Sequence, residues 1–163
     1  PAEGARDVGA AEDGRQPQLV AAGEEDARGL VEDHLAAGLL KTEVEFVEMY
    51  KGQPLFAEVD QRLRRSGFVF HKFAGIAGRT FKPLIVNNDV NQCLSQMLWA
   101  DAVYVKDFMA LDRLPAEKLL RMAVILHLVY GSFDLAMQAL LAYDRQCSSG
   151  LAPAYLQRLT LGK

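Results

Sequence analysis

The pattern of apolar and polar residues predicts a mixed α/β chain: short strands joined through a helix, followed by a helical hairpin. Two observations carry this. Between residues 39 and 106 the runs LLKTEVEF, FVFHKF and WADAVYVK are rich in β-branched and aromatic residues and are separated by breaks containing Gly, Pro or Asn, as strands are. From Pro115 onward the apolar residues come in long runs interrupted by Gly131, which fits helices. Half of the 163 residues are hydrophobic, and the length suits one domain of about 100–200 residues.

The elements follow in order. Residues 1–38 are acidic and of low complexity. The first 34 hold nine acids and three bases, a net −6 against +3 for the rest, and no aromatic residue precedes Phe46. Such a stretch has too little apolar surface to offset the entropy of ordering, so disorder is expected there, with at most a short helix over 24–37. Residues 39–46 read as a strand broken by MYKGQP. Pro54 opens a helix through Ser66, with Leu55, Val59 and Leu63 as its apolar stripe and Gly67 as its stop. Residues 68–73 form a second strand, 75–82 a loop, 81–86 a short strand, 91–97 a helical turn or two, and 99–106 a third strand. A helix from Pro115 to Tyr130 is apolar on most sides and therefore wants neighbours on most sides. Gly131 ends it, and Ser132 suits the N-cap of a second helix over 133–144. The division expected is thus 1–38, 39–145 and a flexible tail, 146–163, in which Tyr155, Leu156 and Leu159 dock loosely.

Composition excludes several function classes. A net charge of −3 gives no sign of a nucleic-acid or acidic-membrane partner. Cys93 and Cys147 are too far apart for a CxxC pair. No apolar run approaches the roughly 18 residues of a membrane span, and no secretory leader is visible. A cytoplasmic setting is expected. The chain has no phosphate loop, HExxH helix or GxSxG elbow, and no glycine-rich turn between a strand and a helix.

The positive candidates are few. Glu43 and Glu45 alternate along a strand and so share one face. Two carboxylates there suit a metal, acid–base chemistry or a polar ligand, and equally a solvated strand face with Val44 packed inward. His127 lies in an apolar helix, where it reads as a hydrogen-bonded core residue or as a base; with Glu43 and Glu45 it makes a third, metal-binding reading. Asn87, Asn88 and Asp89 suit a turn. Tyr50 and Gln53 flank Gly52 beyond the end of the first strand, where open α/β sheets bind their ligands.

Five segments, TEVEFVEMYKGQPLF (42–56), SGFVFHKF (66–73), FKPLIVNND (81–89), LWADAVYVKD (98–107) and ILHLVYGSFDLA (125–136), stand in this order. Together they resemble the C-terminal half of the FkbM-type methyltransferase family. The resemblance implies an S-adenosylmethionine-dependent O-methyltransferase of the class I, doubly wound, Rossmann-like fold, acting on a hydroxyl of a sugar or secondary metabolite. In that fold the fifth strand leads through a helix to an antiparallel hairpin at the sheet edge. The strands at 39–46, 68–73 and 99–106 match that order, and the helical hairpin looks like a C-terminal addition. Glu43, Glu45, Tyr50 and Gln53 match the family pattern and would line the acceptor side of the cleft.

The family draws its cofactor site from the first four strands, and a segment like DVQGAE precedes its TEVEF strand. Residues 10–35 here contain no such segment, so no cofactor-binding residue carries over. The expectation is a truncated chain, inactive alone, with 1–38 read in a foreign frame. The competing expectation is a non-catalytic interaction module that pairs with another chain or a second copy through its apolar helices.

Overall fold

The computed structural model describes residues 35–89 and 92–161. The helix expected over 24–37 lies almost wholly outside them, as does the disorder expected for residues 1–38 except at 35–38, where residues 35–36 are helical and Ala37 is fully buried against the core.

Three strands make one sheet. β1 (Leu39–Glu45) and β2 (Phe68–Gly78) each pair antiparallel with β3 (Met97–Lys106), in the order β1-β3-β2. β1 and β2 therefore run parallel. They are joined by α1 (Phe56–Arg65), which begins after Pro54 as the sequence suggests. The Glu58 carboxylate accepts the Leu55 N–H at 2.9 Å, satisfying one of the donors a helix start leaves open. The helix ends at Gly67, whose φ of +77° is cheap only for glycine.

Each face of the sheet carries its own layer. Leu40 and Val44 of β1, with Ala100, Ala102 and Tyr104 of β3, pack against Phe56, Val59 and Leu63 of α1. Phe46, Phe56, Phe70, Phe73 and Tyr104 form a connected ring cluster there, with centroids 4.7–5.9 Å apart in tilted or edge-on contacts, the arrangement the ring quadrupole favours. Burial, with the Asp60 charge adding to it, pushes the Tyr104 phenol up to about 12, so it stays neutral.

The opposite face packs Leu39, Val103 and Val105 against the helical hairpin of α2 (Ala116–Leu128) and α3 (Phe133–Cys147). Leu119, Met122 and Leu126 of α2 are fully buried here, each contributing roughly 1.5–3 kcal/mol of apolar transfer. Two polar contacts from β2 hold the hairpin turn. The Lys72 ammonium donates to the Tyr130 carbonyl at 2.8 Å, and His71 Nε2 meets the Ser132 hydroxyl at 2.8 Å. Burial, followed by the neighbouring Lys72 charge, holds the His71 imidazole below its usual range.

Four expectations change. β2 runs on to Gly78, so the loop expected at 75–82 starts later; a register shift at each of three points lets the strand follow β3 to its start. No strand forms at 81–86, where only a Val86–Asp89 bridge occurs. The described part of 91–97 is not helical, and Met97 opens β3. The segment expected to be a flexible tail contains α4 (Leu151–Leu161). Asp144 explains this last change. Its carboxylate accepts the N–H groups of Leu151 (2.9 Å) and Ala152 (2.8 Å) together with the Ser149 hydroxyl, so the last turn of α3 caps the first turn of α4. The Ser149 bond and then the backbone donors hold Asp144 below the usual carboxylate range.

Of the two glycines late in β2, Gly75 has open space and Gly78 has none. A Cβ there would lie 2.2 Å from the Gln96 carbonyl oxygen and 2.8 Å from Cys93 Cβ. Gly78→Ala is expected to lower stability by about 1–3 kcal/mol through backbone displacement. Urea unfolding checks this, and an unchanged midpoint would show that the β2–β3 end yields freely.

Candidate functional site

The sheet face that packs on the hairpin changes character along its length. In register, Leu39 faces Val105, Lys41 faces Val103, Glu43 faces Asp101 and Glu45 faces Trp99. The first of these rows is apolar and lies under the helices; the last two carry the acids. Strand alternation thus puts Glu43 and Glu45 on one face, as expected, while fully buried Val44 points into the α1 layer.

The two carboxylates differ in environment. Glu43 is exposed, whereas Glu45 is only 8% exposed. Burial, then repulsion from Glu43, raises the Glu45 carboxyl above its ordinary range, with its own backbone N–H opposing. Directly across from Glu43, Asp101 pairs with the Lys41 ammonium at 2.9 Å. Tyr130, at the hairpin turn, is raised by burial and then by the Asp101 charge. The cluster therefore offers a carboxyl that takes up a proton more readily than usual, an exposed carboxylate beside it, and a balanced Lys41–Asp101 pair. That set suits hydrogen bonding to a hydroxyl-bearing molecule.

Tyr50 and Gln53 come together in a turn beyond β1. The Gln53 side-chain oxygen accepts the Tyr50 N–H at 3.3 Å, and the Gln53 N–H donates to the Tyr50 carbonyl at 3.0 Å. The Tyr50 side chain is 73% exposed and free to meet a ligand; the Gln53 side chain is committed to the turn. Among the described residues no side-chain hydrogen bond joins Tyr50 or Gln53 to Glu43 or Glu45, although Leu55, just beyond the turn, makes a parallel β-bridge with Glu45. His127 is elsewhere, in α2, with Nδ1 2.9 Å from the Tyr155 hydroxyl. Among the described residues no three His, Cys, Asp or Glu side chains are placed to hold a metal, so the Glu43, Glu45 and His127 grouping is not assembled.

Lys41, Asp101, Lys72 and Tyr130 escaped the sequence reading. Alternation along WADAVYVK already puts Asp101 on the face of Trp99, Val103 and Val105, but that Asp101 stands opposite Glu43 depends on the β1–β3 register. The turn from β1 to α1 contains one glycine, Gly52, and its N–H is already taken by the Glu48 carboxylate at 2.6 Å. That N–H is therefore not open to a ligand. Among the described residues, no helix is long and apolar enough to cross a membrane. No protein-family model, curated protein or solved structure matches the chain.

A carboxyl whose folded pKa is raised makes the fold lose stability as pH rises through its unfolded value, near 4.5 for Glu45. Glu45→Gln is thus expected to leave stability unchanged or raise it at pH 7, with a smaller gain at pH 4. Thermal unfolding of both proteins at the two pH values checks the sign; a loss at pH 7 that exceeds the loss at pH 4 would contradict it.

Proposed function

We propose that this chain supplies the acceptor-side edge of an S-adenosylmethionine-dependent O-methyltransferase of the FkbM type, acting on a hydroxyl of a sugar or related small metabolite. One observation carries the reading: parallel β1 and β2 are joined through α1, with antiparallel β3 between them. This is the strand order expected where a class I, doubly wound sheet ends in an antiparallel hairpin. Ligands of open α/β sheets gather beyond the carboxyl ends of the parallel strands. Glu43 and Glu45 lie at that end of β1, and Tyr50 and Gln53 lie in the turn beyond it.

In this reading the exposed Glu43 carboxylate and the Glu45 carboxyl hydrogen-bond the acceptor, and the Tyr50 ring lies against it. Gln53 shapes the turn that presents Tyr50. S-adenosylmethionine would supply the methyl group. No step through it is assigned to the described residues. The free thiols of Cys93 and Cys147 are in keeping with a cytoplasmic setting.

Calorimetric titration of this chain with S-adenosylmethionine is expected to show no binding, and a micromolar Kd would overturn the division of labour. Reading the upstream DNA in all three frames is expected to reveal a glycine-rich strand–turn–helix segment. Its absence would end the family reading.

A second reading, a non-catalytic module, rests on the exposed apolar side chains Leu128, Val129, Leu156 and Leu161 of the helical layer. It predicts a defined dimer in light scattering, and a monodisperse monomer would end it.

A further inference from the structure

Away from the sheet, α2, α3 and α4 bound a groove of about 380 Å³, within the size range of small-molecule sites. Leu140, nearly buried, forms its base, and Val124 and Leu128, half or more exposed, form its walls. Three residues with polar groups line it: His127, Tyr155, whose hydroxyl bonds His127 Nδ1 at 2.9 Å, and exposed Arg158. Among the described residues no carboxylate pairs with Arg158. Arg64, Arg121 and Arg145 each have an acidic partner at 2.6–2.7 Å; Arg158 is set apart from the other unpaired arginines by lining the groove.

An apolar trough with one unpaired guanidinium is complementary to an apolar tail that ends in an anion. A guanidinium takes a carboxylate in a two-pronged contact. The Tyr155 hydroxyl has both a donor and an acceptor function, so it keeps its bond to His127 while a second bond goes to the ligand. Burial raises the Tyr155 phenol above its ordinary range, so it remains protonated. A cationic or neutral amphiphile would leave Arg158 unmatched.

The geometry points to a binding site for a small amphipathic carboxylate, a medium-chain fatty acid or a compound of that shape, seated between α2 and α4 with its carboxylate on Arg158. The site is independent of the methyltransferase reading, and the failure of either leaves the other standing.

Calorimetry with hexanoate, octanoate and decanoate below their micelle concentrations tests it. Saturable one-to-one binding is expected, tightening by roughly fourfold per added methylene until the groove is full. Arg158→Gln, at an exposed position, is expected to weaken octanoate binding roughly tenfold. Val124→Trp is expected to abolish it while leaving the circular dichroism spectrum unchanged. Absence of saturable binding, equal affinity for an alkyltrimethylammonium of the same chain length, or an unaffected Arg158→Gln variant would overturn the assignment. So would a dimer in light scattering that Val124→Trp dissociates, because the groove would then belong to a second copy.

Discussion

β3 is buried on both faces. Ala102, Val103, Tyr104 and Val105 are consecutive and none exposes any surface, although neighbours along a strand point to opposite sides. A strand of this kind is stable only with a layer over each face and a strand on each edge. β1 and β2 supply the edges, α1 covers one face and the helical hairpin covers the other. The two cores differ accordingly. Bulky rings fill the space beneath a single short helix, while aliphatic side chains interdigitate beneath two longer ones.

The covering is uneven on the hairpin side, and that unevenness creates the polar cluster. The helices cover the rows of Leu39 and Val105 and reach the end of their connection at Tyr130 and Ser132, where His71 and Lys72 hold them. Beyond that point the same sheet face carries Glu43, Glu45 and Asp101. Glu45 is largely buried, and among the described residues no cation pairs with it. Its carboxyl is consequently less acidic than a surface glutamate, whereas Glu43, one pleat away, stays in water.

The helical layer is tied together by short polar links among its helices and the segment before them. Asp144 joins the end of α3 to the start of α4, and the His127–Tyr155 contact joins α2 to α4. Arg145 and Gln146 tie α3 to the segment before α2 through Asp112 and Leu114. These links set the spacing between α2 and α4, and with it the groove over Leu140. A polar residue at a helix terminus thereby determines the shape of an apolar surface nearby.

The sequence by itself determined the elements whose signals are local. β1, α1 and the two helices of the hairpin stand close to where Pro54, Gly67, Pro115, Gly131 and the apolar spacing put them, and the common face of Glu43 and Glu45 follows from the two-residue strand period. Tertiary structure decided whatever depends on a partner distant in the chain. The extension of β2 to Gly78 requires β3 alongside it, because the run FAGIAG has little strand preference of its own. The start of α4 is capped by the Asp144 carboxylate and the helix is anchored by Ala152 and Tyr155 in the core, so its partners come from elsewhere in the helical layer. The pairing of Glu43 with Asp101 requires a register between segments more than fifty residues apart, and the burial of Glu45 beside an exposed Glu43 is set by the assembled fold around it. Local spacing says which way a side chain points; only the assembled layers say what it meets there.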